Sequence, residues 1–219
     1  MMTSPDQFYD WYLKGKTAEE IMSVIRKEKR EIGRLKNIME HPNYADRIKY
    51  RPSEDVQIAC SRLYLSEAKR ALEEAGSTYV PSAAEQKAMA FDDNIPHIKK
   101  IEFCIGGFFG GYETKTFTID GDKVRVYTEH SLRLTPTNAD DVELPEIDKE
   151  EFFNALEELH IGEWRRKYDC RRFGVFVMDG TQWHLDIYFS NGHRPVKFYG
   201  DNAYPYNFDR LLELFDIEE

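Results

Sequence analysis

Ile101-Glu102-Phe103-Cys104-Ile105-Gly106-Gly107-Phe108-Phe109-Gly110-Gly111, then Tyr112 to Ile119, Asp120-Gly121, and Lys123 to Tyr127 is the stretch that decides the fold. An apolar run enters a glycine-rich segment. Alternation around Thr and Lys follows, then a hairpin dipeptide, then alternation again. Period-two patterning broken by Asp-Gly predicts antiparallel strands joined by tight turns. The Gly106–Gly111 run invites a phosphate-loop reading, but Phe108 and Phe109 interrupt it and strand-like sequence, not a helix, follows. A bulged hairpin or tight turn is the expectation there.

Working outward, Asp148-Lys149-Glu150-Glu151 predicts a helix start, with Phe152, Leu156 and Leu159 on its apolar side. Phe173 to Met178 reads as a strand and Asp179-Gly180 as a turn. Trp183, Leu185, Ile187 and Phe189 form the buried face of a longer strand. Asn191-Gly192 turns into Pro195 to Tyr199, and Asn207 to Phe215 closes as a helix. Upstream the period is helical. Ser4-Pro5-Asp6-Gln7, Thr17-Ala18-Glu19-Glu20 and Ser82-Ala83-Ala84-Glu85 are capping-box starts. Ile21, Ile25, Ile32, Leu35 and Met39 give one apolar stripe, ended by His41-Pro42-Asn43. A second long helix is expected from Ser53 through Val56, Cys60, Leu63 and Leu72 to Gly76, antiparallel to the first. The fold class expected is α+β: an N-terminal helical hairpin or bundle, then a mainly antiparallel meander sheet with two helices.

The 219 residues carry a net charge of −10, unevenly placed. Residues 1–100 hold 17 Lys+Arg against 16 Asp+Glu, whereas residues 101–219 hold 13 against 24. Aromatics also concentrate in the second part, so the composition shift near Asn94-Ile95-Pro96 divides a helical region, 1–95, from an acidic α+β domain, 96–219. No apolar run approaches the roughly 20 residues of a membrane span, and Met1 to Asp6 has neither a basic start nor an apolar core. Three scattered cysteines make no disulfide framework. A cytoplasmic protein with reduced thiols is the expectation.

Met178-Asp179-Gly180-Thr181-Gln182-Trp183 followed by Tyr199-Gly200-Asp201-Asn202-Ala203-Tyr204-Pro205-Tyr206-Asn207-Phe208 resembles a domain found in many uncharacterised Firmicutes proteins. Arg34-Leu35-Lys36, Met39-Glu40-His41-Pro42 and Pro52-Ser53 are similar to the same group, so the likeness covers most of the chain. The resemblance implies the fold and a bacterial or prophage origin. It brings no activity with it.

Catalytic chemistry finds little purchase. His184 and Asp186 share one strand face and, with His193 or His160, are the candidates for an acid/base or metal site. No HExxH, CxxC or paired Cys/His spacing supports a metal, and solvent-facing polar positions explain them as well. No G-x-S-x-G elbow occurs. Cys60 and Cys104 lie among apolar neighbours as small hydrophobes. Cys170, between Asp169 and Arg171-Arg172, is either an exposed bystander or a thiol activated by those cations. No catalytic residue, cofactor or metal is expected.

The unusual feature is Arg165, Arg166, Lys167, Arg171 and Arg172, five cations within eight positions of an acidic region and interleaved with Trp164, Tyr168 and Phe173. Such clusters suit phosphate or acidic surfaces, and they equally suit pairing with nearby carboxylates. These five, with Trp183 and Tyr204, are the candidate binding residues. Arg26 to Arg34 form a second basic stretch, but its helical period runs on without the turn of a helix-turn-helix, and pairs such as Lys27 with Glu31 account for it. The functional expectation is a non-catalytic interaction protein. Its acidic surface would engage another protein, a basic nucleic-acid-binding protein being one such partner, in the manner of a mobile-element-encoded inhibitor or regulator of a defence protein. The N-terminal helices would offer a homodimer surface, and neither membrane nor direct nucleic-acid binding is expected. The alternative is an enzyme or a nucleic-acid- or phosphate-binding protein in which the Arg165–Arg172 cluster acts with His184 and Asp186.

Overall fold

A computed structural model describes residues 3–46, 51–107, 109–131 and 147–217, and the chain divides into two compact units, Met1–Ser82 and Ala83–Glu219. In the first unit the helix starts lie where the capping boxes put them. Ser4 Oγ accepts the Gln7 N–H at 3.2 Å to open α1 (Pro5–Tyr12), and Thr17 Oγ1 accepts the Glu20 N–H at 3.3 Å to open α2 (Ala18–Met39). Each cap satisfies a donor that the first turn leaves unpaired, and Glu20 returns the bond from Thr17 N–H at 2.9 Å. α3 (Glu54–Glu74) follows Ser53 and ends at Ala75, with Gly76 beyond it in the left-handed region at φ +77°. Ile21 and Ile25 from the start of α2 pack with Ala68, Ala71 and Leu72 from the end of α3, so the pair is antiparallel. α1 closes the unit by stacking Phe8 on Tyr64, ring centroids 4.2 Å apart.

The apolar face of α3 differs from expectation. Of Val56, Cys60, Leu63 and Leu72, only Leu72 is buried; Val56 is 43% and Leu63 53% exposed. The buried stripe runs instead through Ile58, Ser61, Ala68, Ala71 and Leu72. Two apolar stripes coexist on this helix, and α2 selects the one with small residues, which lets the helix axes approach. The basic stretch of α2 is paired locally, with Arg34 on Glu31 at 2.6 Å and Lys27 acting on Glu31 through charge.

In the second unit α4 (Ala83–Asp92) precedes the composition shift yet packs against the 3-10 turn Ile161–Glu163. Gly162 makes this possible, because a Cβ there would lie 2.7 Å from the Ala88 carbonyl. The sheet comprises β1 (Ile98–Gly107), β2 (Gly111–Asp120), β3 (Lys123–Ser131), β4 (Ile147–Asp148), β5 (Lys167–Asp169), β6 (Gln182–Phe189) and β7 (Val196–Asp201). Their order is β4-β3-β2-β1-β6-β7-β5, antiparallel throughout except for β5 beside β7. The expected hairpins β1–β2, β2–β3 and β6–β7 all form, and Asp148 Oδ1 caps α5 (Lys149–Glu158) by accepting N–H bonds from Glu150 and Glu151 at 2.9 and 3.0 Å. α6 (Phe208–Leu214) completes the chain's helices among the described residues.

One sheet face carries Phe103, Phe117, Leu185, Ile187 and Phe198 beneath α5 and α6, a single core rich in rings. Phe117 stacks on Phe152 of α5 at 5.3 Å and lies 4.4 Å from Phe215 after α6, contacts that join three elements. Lys115 enters this face as a buried cation. Its Nζ donates to the Phe215 carbonyl at 2.9 Å and to that of Asp216, the orphan acceptors at the end of α6.

Two expectations are corrected here. Phe173 to Met178 is not a strand: Cys170–Phe173 is a 3-10 turn ended by Gly174 at φ +73°, and the chain then runs outward unpaired with any strand. Phe176 is 68% and Met178 91% exposed. The run looked buried because it is apolar, but the left-handed glycine turns it off the sheet. Cys170 in turn is a core residue, in contact with the main cluster, not an exposed thiol. The Gly106–Gly111 run is the expected close hairpin, although Phe108 lies outside the described residues; a Cβ on Gly106 would sit 2.1 Å from the Gly111 carbonyl. Among the described residues no helix is long and apolar enough to cross a membrane.

Candidate functional site

The basic cluster follows the outer edge of the sheet. Trp164 is buried, its indole N–H given to Asn207 Oδ1 at 3.0 Å, and Asn207 Nδ2 donates in turn to the Leu159 carbonyl at 2.7 Å. Beyond it the chain forms β5, where alternation sends successive side chains to opposite faces. Arg166 lies on the core side with its guanidinium 4.8 Å from the Phe198 ring, and Lys167 points the other way to Asp169 at 3.5 Å. Partial desolvation against neighbouring side chains lowers the Arg166 pKa, and Lys87 of α4 is lowered first by partial desolvation and then by the Arg166 charge. Arg171 covers Phe176 at 5.5 Å and Arg172 covers Phe173 at 4.9 Å. Arg165, Arg166, Lys167, Arg171 and Arg172 are all exposed, but strand alternation and the 3-10 turn spread them over two sides of an edge.

His184 and Asp186 occupy the sheet face opposite the core. Asp186 pairs with Lys197 and lies 3.4 Å from the Tyr188 hydroxyl, while its Oδ1 is buried with no partner among the described residues. Tyr188 is the hub. A hydrogen bond to Glu102, reinforced by burial and by the Glu102 and Asp186 charges, pushes its pKa up to about 12. Lys100 holds Glu102 at 2.8 Å and keeps that carboxyl below its ordinary range. His184 faces Tyr199, ring centroids 6.5 Å apart. Arg166, against Phe198 on the core side with its Nη1 3.5 Å from the Lys197 carbonyl, is separated by the sheet from the Asp186–Lys197 side-chain pair. The arrangement needed for joint acid/base and phosphate chemistry is not assembled. Among the described residues no group of three or more His, Cys, Asp or Glu side chains is placed to hold a metal.

The motif stretches serve the backbone. Asn202, at φ +50°, accepts the Thr181 N–H on Oδ1 at 2.9 Å, and its own N–H reaches the Thr181 carbonyl at 2.9 Å. Gly180 must be glycine at this clamp, since a Cβ would lie 1.8 Å from Asn202 Oδ1. Trp183 is 3% exposed and donates its indole N–H to the Ala203 carbonyl at 3.0 Å, so it belongs to the core and offers a partner no surface. Tyr204 is half-buried and tilts against Phe208 at 4.8 Å.

These clamps shape one wall of a cleft of about 960 Å³ between the glycine-rich hairpin, the Asp179–Thr181 loop and α6. Ile105, Phe208, Leu212 and Ile217 form its apolar floor, and Tyr204 lines it. Its rim carries Glu113, His130 and Asp179, and the exposed Phe109 stands at the hairpin tip. Glu113 and His130 are register neighbours on β2 and β3, and Glu113 Oε1 lies 3.7 Å from Lys115 Nζ. An apolar floor with a few converging polar groups is the usual form of a binding site. Of the candidate binding residues only Tyr204 lines it. Glu113, His130 and Asp179 carry no common spacing, because they reach the rim from separate segments; the Gly106–Gly111 and Gly180 positions were the signal available. Compared with known protein families, curated proteins and solved structures, the chain matches none.

Proposed function

We propose that this chain is a non-catalytic protein-interaction module whose second unit receives a basic, partly apolar segment of another protein in the cleft beside the glycine-rich hairpin. The observation that carries this reading is the pairing of an apolar floor with the rim carboxylates Glu113 and Asp179. Exposed Phe109 and Met178 on flanking loops add the aromatic and methionine side chains that protein interfaces favour. The excess of 24 Asp+Glu over 13 Lys+Arg in residues 101–219 speeds encounter with basic surfaces and opposes nucleic acid and anionic membranes. A nucleic-acid-handling protein fits as partner, with carboxylates taking the place of phosphates. In the prophage-type setting implied by the resemblance, inhibition or regulation of a defence protein is the corresponding role. A second surface is the exposed Val56 and Leu63 stripe on α3, which suits self-association through the helical unit.

The enzyme reading has less support, since Arg166 and the His184–Asp186 pair lie on opposite sheet faces. The test is capture from native lysate on the immobilised full chain at low and high salt. Retention of a basic protein at low salt, its release at high salt, and its loss on Asp179→Lys support the reading. Retention of no specific protein at either salt overturns it.

A further inference from the structure

Cys104 is buried but belongs to neither apolar core. It is 9% exposed, and alternation along β1 sends Phe103 and Ile105 to the ring-rich core and Cys104 to the other face. Strand register decides its neighbour there. Cys104 stands directly opposite His184 of β6, and His184 directly opposite Tyr199 of β7. Side chains paired in this way have Cβ atoms about 5 Å apart, so thiol and imidazole adjoin on one face. One rank along the same two strands Asp186 stands opposite Glu102. Asp186 is 7% exposed; its Oδ2 pairs with Lys197, whereas its Oδ1 is buried without a hydrogen-bond partner among the described residues. In the other direction Cys104, His184, Tyr199 and Asp201 line a cleft of about 330 Å³. Asp201 Oδ1 accepts the Asn202 amide at 2.8 Å, and the carboxylate makes no ion pair among the described residues.

We propose that Cys104 is a thiol-exchange site for small disulfides that carry an amine. His184 takes the thiol proton, and the unpaired Asp186 Oδ1 on the same strand face offsets the charge then held by the imidazole. The Cys104 sulfur attacks one sulfur of the incoming disulfide. A new S–S bond forms as the old one breaks, and the departing sulfur leaves with the bonding pair and takes the proton from His184. Cys104 is thereby oxidised to a mixed disulfide, and the released half of the reagent is reduced to a thiol. Asp201 at the cleft, within an acidic domain, favours an ammonium-bearing reagent over one that carries carboxylates.

The full chain carrying Cys60→Ser, treated with cystamine, hydroxyethyl disulfide or glutathione disulfide and followed by intact mass and peptide mapping, tests this. Each rate is taken relative to that of the same chain in urea. Cys104 is expected to react about tenfold or more faster when folded, with cystamine the most favoured reagent and glutathione disulfide the least. His184→Gln is expected to cut the folded rate about tenfold with the melting temperature unchanged. Asp186→Asn is expected to slow the parent but not the His184→Gln chain, a dependence that a merely structural role would not give. A Cys104 that reacts only after unfolding overturns the proposal. So does a folded rate untouched by His184→Gln, one equal across the three reagents, or equal slowing of both chains by Asp186→Asn.

Discussion

The indole of Trp183 lies directly over Gly200, so close that a Cβ on residue 200 would fall 1.9 Å from the indole nitrogen. The two residues face each other across β6 and β7, and the indole N–H passes the glycine to reach the Ala203 carbonyl at 3.0 Å. Gly200→Ala is expected to destabilise the second unit by about 3 kcal/mol, because no flexible side-chain end can move aside. Trp183→Phe, which orphans the Ala203 carbonyl, is expected to cost about 1–3 kcal/mol. Urea denaturation followed by Trp fluorescence or circular dichroism measures both. Equal stability of Gly200→Ala and the parent would show the packing to be looser than described.

Lys115 ties β2 to the end of α6 by donating to the carbonyls of Phe215 and Asp216. Lys115→Met keeps the length and apolar stem of the side chain but leaves those acceptors unpaired. A loss of about 2–3 kcal/mol is expected, with faster amide exchange concentrated in Phe208–Leu214. Uniform exchange across the unit would count against a local anchoring role.

The Tyr188 phenol titrates late. Its pKa is pushed to about 12 by Glu102 first, then by burial and the neighbouring carboxylates. A group whose folded pKa is raised lends stability that is complete below its unfolded value, about 10, and is lost as pH climbs toward 12. Glu102 runs the opposite way: its lowered pKa, due first to Lys100, lends stability above the ordinary carboxylate range that is lost on acidification. Glu102→Gln is therefore expected to bring the last phenol ionisation down toward the normal range in an ultraviolet titration. An unchanged high-pH step would assign the late ionisation to another tyrosine.

Glu28 is buried between α2 and α3, its pKa raised mainly by that burial and offset by a bond from Ser61. The folded chain therefore holds this proton longer than the unfolded one. The contribution to stability is complete at acid pH and falls as pH rises through the raised value, which makes the ionised carboxylate a cost near neutrality. Glu28→Gln keeps an acceptor for Ser61 and removes the charge. A higher melting temperature at neutral pH is expected, with the gain closing below about pH 4. A variant less stable than the parent at neutral pH would mean that the carboxylate is better compensated than its burial implies.

The sequence by itself determined the local grammar. Ser4, Thr17 and Asp148 cap where they stand because capping acts over three residues, and Asp120-Gly121 marks a tight turn in which Asp120 pairs with Lys123 and Gly121 takes φ +63°. Alternation likewise revealed Trp183, Leu185, Ile187 and Phe189 as one inner face. The tertiary structure decided what periodicity leaves degenerate. α3 carries two apolar stripes, and only packing against α2 chose Ile58 to Leu72 over Val56 and Leu63. Phe173 to Met178 has strand composition but finds no strand beside it, whereas Lys167–Asp169 has little and pairs with β7 all the same. The cleft was hidden for the same reason. Glu113, His130 and Asp179 are far apart in the chain, and their meeting depends on strand register and on the Asn202 clamp, long-range contacts that no local pattern encodes. The net charge of −10 was readable from composition, but that Glu113 and Asp179 border an apolar floor while Asp186 is tied to Lys197 on the other face was fixed only by the assembled sheet.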